Sequence, residues 1–336
     1  MGTSRRVKLS DVARRAGVSP ATVSRAISQP ELLSATTLSR VRAAAQALGY
    51  LPDAAAQALA SGRSMTIGAV VPTLDSTIFA RFLQSVQSAL SREGYQLLVA
   101  SHEMSPAAET EAVRTLLSRG AEGLILVGAD RPRATSDLLR TSGVPAILTW
   151  CGSAEFASVT VDNERAGHLA ARHLLDLGHR RIGVITGRQS FNDRQRARLA
   201  GARRAMREAG EDIPDWRVSE QDLTLAGGRT GCAALLQLES PPTAIIGTID
   251  LLAIGCLQEA GARGLAVPGH LSVVGIDDID MSAYITPSLT TVHIPTGRIG
   301  QTAAAMVIAR LRGESSASRL DLPIELVVRR STAVPN

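Results

Sequence analysis

The residues with the most chemical reach lie in two parts of the chain. Near its start, Ser19-Pro20 reads as a helix opening, a hydroxyl N-cap followed by proline at the first helical position. Val23 and Ile27, four apart, turn inward and leave Pro20, Ala21, Ser24, Arg25 and Ser28 on the outer face. Much farther on, Phe79, Asp130, Trp150, Arg188, Arg194, Asp250 and Asp277 each follow an apolar, strand-like run. Residues in that position bind ligands beyond the carboxyl ends of a parallel sheet. Bond-making chemistry has no such footing. The sequence holds no Gly-x-Ser-x-Gly elbow, no phosphate loop and no His-Glu-x-x-His. Gly227-Gly228-Arg-Thr-Gly231 lacks dinucleotide-binding spacing and reads as a helix start, and His168 and His173, five apart, do not share a helix face. Asp277-Asp278-Ile-Asp280 is better read as a strand-end carboxylate accepting ligand hydroxyls than as a cation site. The expectation is binding without catalysis: no catalytic residues, no metal and no cofactor.

These residues need elements to hold them. Ser10 can cap a first helix in which Val12, Ala13 and Ala16 repeat at helical spacing and Gly17 ends it; Ser34 can cap a third, with Leu38, Val41, Ala45 and Leu48 inward and Gly49 as its stop. Two short helices joined across Ala16-Gly17-Val18 form a helix-turn-helix, whose second helix can enter the major groove. Next, Asp53 to Gly62 is alanine-rich, with a good N-cap and a glycine stop, yet below the roughly 12–15 residues at which an isolated helix becomes marginal. It reads either as a linker or as a helix that forms when something packs on it. From Met65 onward, apolar runs at 68–72, 97–101, 124–128, 146–150, 182–187, 218, 244–248 and 272–276 alternate with helical stretches, the rhythm of a doubly wound α/β sheet built twice.

Composition narrows the class. The 336 residues are 45% hydrophobic and 20% charged, enough to bury a sizeable core. No apolar run reaches the roughly 18 residues of a membrane helix, and Asp11, Arg14 and Arg15 stand where a signal peptide needs its apolar stretch. Cys151, Cys232 and Cys256 have neither metal-ligand nor redox spacing, which fits a reducing cytoplasm. Charge is divided sharply: residues 1–63 carry nine basic against three acidic side chains, and the rest has a net charge of −1. A basic head for a polyanion, joined to a near-neutral body, is the natural reading.

Leu9-Ser-Asp-Val-Ala-Arg-Arg-Ala-Gly-Val-Ser-Pro-Ala-Thr-Val-Ser-Arg25, then Val41, Leu48-Gly-Tyr-Leu-Pro52 and Leu59, resemble the DNA-binding and hinge segment of the lactose-repressor (LacI/GalR) family. His173-Leu-Leu-Asp-Leu-Gly-His-Arg-Arg-Ile182, Arg198-Leu-Ala-Gly201, Val273-Val-Gly-Ile-Asp-Asp278 and Pro287-Ser-Leu-Thr-Thr291 resemble its effector-binding core. The resemblance runs in order along nearly the whole chain. It implies a helix-turn-helix domain (1–52), a hinge (53–63) and a periplasmic-binding-protein-like body (64–336). The body's two α/β subdomains would comprise about 64–162 with 294–325, and about 163–293 with 326–336. The expected partners are pseudo-palindromic operator DNA, a second copy of the chain and a small effector, with no membrane. The chain ends without a leucine-heptad tail, which favours a dimer over a tetramer.

Carried over by position, the resemblance makes Pro20, Ala21 and Arg25 base-reading residues. Ser19, Thr22, Ser24 and Ser34 become backbone-contacting or supporting ones, and Leu59 the hinge leucine that wedges a central base step. Asp53 stands where Asn is usual. Phe79, Arg198 and Asp277 match effector-contacting positions, with Asp250 beside them, and Trp150 is placed either to stack on a ligand or to join the core. Pro30-Glu31, with Arg194 one turn before Arg198, is similar to the gluconate-repressor branch, and two such arginines can clasp a carboxylate. The expected effector is therefore a sugar or sugar acid, with a neutral sugar or a purine as the alternative. A sugar-binding transport protein has a similar body, but the basic head argues against it.

Overall fold

The computed structural model describes residues 7–51, 58 and 62–336. Three helices make the head: α1 (Leu9–Ala16), α2 (Pro20–Ser28) and α3 (Ala35–Leu48). They close over Val12, Ala13, Ala16, Val23, Ala26, Val41 and Ala44, with Ile27, Leu38 and Leu48 packed at the margin. Gly17 and Gly49 end α1 and α3 at φ 63° and 62°, the left-handed conformation that glycine adopts without strain. The first helix starts earlier than Ser10 suggests. Lys8 is its N-cap, and the Asp11 carboxylate, three residues on, accepts the Lys8 N–H at 3.0 Å. The charged acceptor wins over the hydroxyl.

The body has two lobes. The first contains β1 (Thr66–Val71), α4 (Thr77–Arg92), β2 (Gln96–Ser101), α5 (Pro106–Ser118), β3 (Gly123–Val127), α6 (Arg133–Ser142), β4 (Ala146–Trp150) and β5 (Ala157–Thr160). The second contains α7 (Asn163–Asp176), β6 (Ile182–Gly187), α8 (Asp193–Glu208), β7 (Val218–Gln221), α9 (Leu225–Leu236), β8 (Ala244–Gly247), α10 (Asp250–Ala262), β9 (Ser272–Asp277), α11 (Asp280–Tyr284) and β10 (Thr290–His293). The chain then returns as α12 (Thr296–Leu311), which packs on α4, β3 and β4. It ends with β11 (Arg319–Asp321) in the first sheet and β12 (Glu325–Val327) in the second. The sheet orders are β2-β1-β3-β4-β5-β11 and β7-β6-β8-β9-β10-β12. β12 runs antiparallel to β10, while β6, β8, β9 and β10 are parallel neighbours.

Covered central strands explain the continuous apolar runs. Every residue of β3, β4, β6, β8 and β9 is buried, whereas β2, at a sheet edge, is half exposed. An N-terminal helical head with a two-lobed, periplasmic-binding-protein-like α/β body agrees with the expected class. Cys232 and Cys256, unrelated by spacing, come together across α9 and α10 with Sγ atoms 3.1 Å apart as free, buried thiols. Among the described residues, no helix is long and apolar enough to cross a membrane, and no three metal-binding side chains cluster.

Candidate functional site

In the head, α2 is fixed by its own first turn. Ser19 Oγ accepts the Thr22 N–H at 3.1 Å and lies 2.9 Å from Thr22 Oγ1, with Pro20 at the first helical position. Val23 and Ala26 are buried, so Ser19, Pro20, Ala21 and Arg25 are exposed on the opposite side, with Thr22 and Ser24 half-buried beside them. Ser34 Oγ caps α3 by accepting the Thr37 N–H at 3.3 Å and stays exposed. The outer face expected from the spacing is thus present as one surface. Leu59 and the proposed hinge from Asp53 to Ser61 lie outside the described residues, apart from Ala58.

In the body, a tight helix crossing positions Arg198. A Cβ on Gly167 of α7 would collide with Arg198 O, and one on Gly201 of α8 would collide with Glu164 O. Only glycines allow the two backbones to approach this closely. Arg198 is 3% exposed; its Nε donates to Asn163 Oδ1 at 3.1 Å, and its Nη1 donates to Thr248 O at 2.7 Å and Asp277 Oδ1 at 3.0 Å. The ends of β8 and β9 therefore converge on one guanidinium. Burial pushes the Asp277 carboxyl up to about 7; Arg198 pulls the other way and nearby Asp250 adds to the rise.

Asp250, expected beside the effector, is tied into the fold. It is completely buried, and its carboxylate accepts the Ile279 N–H at 2.9 Å and the Ser282 and Thr291 hydroxyls at 2.6 and 2.5 Å. Burial raises its pKa, and those three hydrogen bonds oppose the rise. Its work is to anchor the segment that follows Asp277. Gln195 is a comparable tie: its Oε1 accepts from Thr186 Oγ1 at 3.1 Å, from the Gly187 N–H at 3.2 Å and from the Thr248 hydroxyl.

The aromatic residues belong to the other lobe. Trp150 ends β4 at φ 64° and is 1% exposed. Its ring meets Phe82 edge-on at 4.9 Å and Phe79 at 5.7 Å. It lies beneath half-buried Phe79. Among the described residues, six of the seven non-glycine residues at positive φ (Glu103, Met104, Trp150, Phe191, Asp277 and Asp278) end or closely follow a strand. Such conformations are costly, and they gather where a site needs them.

Arg194 does not reach Arg198's partners. Its Nη1 pairs with Asp193 Oδ1 at 3.1 Å. Asp193 Oδ2 in turn accepts the N–H groups of Ala129 and Asp130, at 2.6 and 3.2 Å, from the loop after β3. Burial would raise the Asp193 carboxyl, but Arg194 and the backbone donors hold it below its ordinary value. Asp130 pairs with Arg196, and Arg188 stands exposed, 3.5 Å from Asp222. Asn163, Thr248 and Asp193 were not singled out from sequence. Their only local signal was a polar residue beside a helix start or strand end, and their partners are far away along the chain.

Set beside known proteins, residues 8–53 match the family described as bacterial regulatory proteins, lacI family, and residues 171–332 match a periplasmic binding protein-like domain. The HTH-type transcriptional repressor PurR of Aliivibrio salmonicida (strain LFI1238) is 31% identical over 328 residues, covering 96% of this chain and 98% of that protein. A lac repressor dimer bound to operator and the anti-inducer ONPF superposes with a TM-score of 0.87 at 29% identity, over 98% of this chain and 100% of the other. A complex of the transcriptional regulator CelR with cellobiose gives 0.73 at 29% identity, over 97% and 100%.

Proposed function

Because the chain belongs to the lacI family of bacterial regulatory proteins, DNA-binding transcriptional regulators with an effector cleft, we propose that it represses genes of sugar or sugar-acid metabolism. It acts as a homodimer on a pseudo-palindromic operator and is switched by a small molecule held between the lobes. The observation that carries this reading is the buried Arg198–Asp277 pair, assembled at strand ends from three separate elements. Such a pair offers both a donor and an acceptor to ligand hydroxyls. In the head, Arg25 supplies a fork for guanine O6 and N7, and Pro20 and Ala21 supply apolar contact. Leu59 serves as the minor-groove wedge.

Within the effector class, the ion pairing favours the neutral end. Arg194 and Arg198, the two arginines that would clasp a carboxylate, are already matched by Asp193 and Asp277. That leaves a neutral sugar or a purine ahead of a gluconate-like acid, and the cellobiose bound in the CelR complex is a ligand of the neutral kind. The reading is tested by selection from a pool of random duplexes with the full chain. Enrichment of an inverted repeat supports it, and recovery of sequences without symmetry or preference rejects it.

A further inference from the structure

We propose that Asp193 is a built-in carboxylate: it occupies the anion position of the cleft, so that the protein refuses carboxylate-bearing effectors and holds its lobes together without one. This rests on the effector-controlled reading above and assigns the selectivity of that cleft to one residue. The donors around Asp193 are those an organic carboxylate would seek. Two backbone N–H groups, of Ala129 and Asp130, converge on Oδ2 at 2.6 and 3.2 Å. The Arg194 N–H and guanidinium meet Oδ1 at 2.8 and 3.1 Å. Charged hydrogen bonds of this kind are the strong ones. The donors come from both lobes, because Ala129 and Asp130 follow β3 while Arg194 lies in the first turn of α8.

The surrounding chain is shaped to let Asp193 in. Gly128, at φ 76°, has no Cβ; one placed there would collide with Arg194 Nη1 and stand 3.1 Å from Asp193 Oδ1. The neighbouring arginines are likewise matched. Arg131 pairs with Glu109 at 3.4 Å, both at most 5% exposed; Arg196 pairs with Asp130, and Arg198 with Asp277. Each of these four arginines has a carboxylate of its own, leaving an incoming anion none of them uncommitted. The balance is narrow. Arg131 Nε and His102 Nδ1 are buried without a hydrogen-bond partner among the described residues. Burial, with Arg194 and Arg131 nearby, keeps His102 uncharged down to about 4. Without the Asp193 charge, this cluster would be a cationic hole lined by two free N–H groups.

The experiment is rescue by a small anion. Full-length wild type, Asp193→Ala, Asp193→Ser and Asp193→Asn are titrated with formate against chloride at equal ionic strength, and binding is followed by calorimetry and thermal stability. Asp193→Ala and Asp193→Ser, which vacate the position, are expected to bind formate at least about tenfold more tightly than wild type, the scale of one charge-assisted hydrogen bond. Asp193→Asn removes the charge but fills the space, so it is expected to gain little. Equal formate affinity in wild type and in whichever vacating variant folds would overturn the proposal, as would an equal gain in Asp193→Asn. Duplex selection on the same preparations separates the two readings. Loss of formate rescue with intact operator selection removes only the role of Asp193, whereas wild type that selects no duplex removes the regulator reading itself.

Discussion

Arg198 Nη1 and Asp277 Oδ1 meet at 3.0 Å, with side chains 3% and 7% exposed, and neither residue could hold that position alone. Arg198 is placed by the crossing of Gly167 and Gly201, Asp277 by the end of β9 and the Asp250 anchor behind it. Breaking a buried pair by removing one partner costs about 3–5 kcal/mol when the other stays charged. Here the raised Asp277 carboxyl can take up a proton, which lowers that cost. The pair is thus adjustable in charge while fixed in position, and its titration can be read.

Asp277 should therefore make stability depend on pH in a predictable direction. Its pKa rises on folding from 3.8 to about 7, so the folded chain holds the proton more tightly than the unfolded chain. The stability this gives is fully present below the unfolded value and is lost as pH rises through the folded one. Asp277→Asn, an imitation of the protonated form, is expected to match wild type near pH 4 and to exceed it in stability above about pH 7. Urea midpoints across that range give the comparison. A variant less stable than wild type at high pH would mean that the attraction to Arg198 outweighs burial.

Gly201→Ala should destabilise the body by about 1–3 kcal/mol, the usual range for overpacking, because the new methyl meets Glu164 O. Gly261→Ala, in α10, has nothing within 4 Å of its new methyl and should gain up to about 1 kcal/mol from helix propensity. Opposite signs in paired urea denaturation curves are the expected result. Similar losses at both sites would remove the argument that the α7–α8 crossing is set by close backbone approach.

Arg25→Ala should relax sequence preference at one position in each half-site, at a cost of roughly 1–3 kcal/mol against the best duplex. Affinity of the wild-type head should fall steeply with salt as counterions released from the phosphates are recaptured. Competition binding with single-base variants of the selected duplex measures the first effect. A uniform loss on every duplex would make Arg25 a phosphate contact.

Much of this architecture is legible in the sequence because its signals are local. Fully covered strands such as Gly123–Val127 and Ile182–Gly187 are almost wholly apolar, and Ser19-Pro20 carries its cap with it. β5, β10, β11 and β12 are short and carry no continuous apolar run, and Arg319–Asp321 is exposed along its length. The candidate site was legible in its residue types and less so in its pairings. Arg194 and Arg198 lie one turn apart, which suggested a joint clasp, yet each has a nearer carboxylate. Asp193 sits beside Arg194 in sequence, but its two N–H donors in the loop after β3 are 63 and 64 residues away. Asp250 follows a strand, and that position alone does not reveal its three donors, which come from 29 to 41 residues downstream.

Whether a small molecule in the cleft governs operator binding is decided by one coupled titration. Neutral sugars, purines and sugar acids are first screened for those that raise the thermal stability of wild type, as any ligand bound only by the folded state must. Operator affinity is then measured by fluorescence anisotropy, with and without each hit, for wild type and for Arg198→Ala. A neutral hit is expected to change wild-type affinity for the selected duplex severalfold or more, the usual scale of allosteric coupling. Arg198→Ala is expected to bind the duplex normally and no longer to respond. A hit that shifts operator affinity equally in both proteins would contradict control from the cleft.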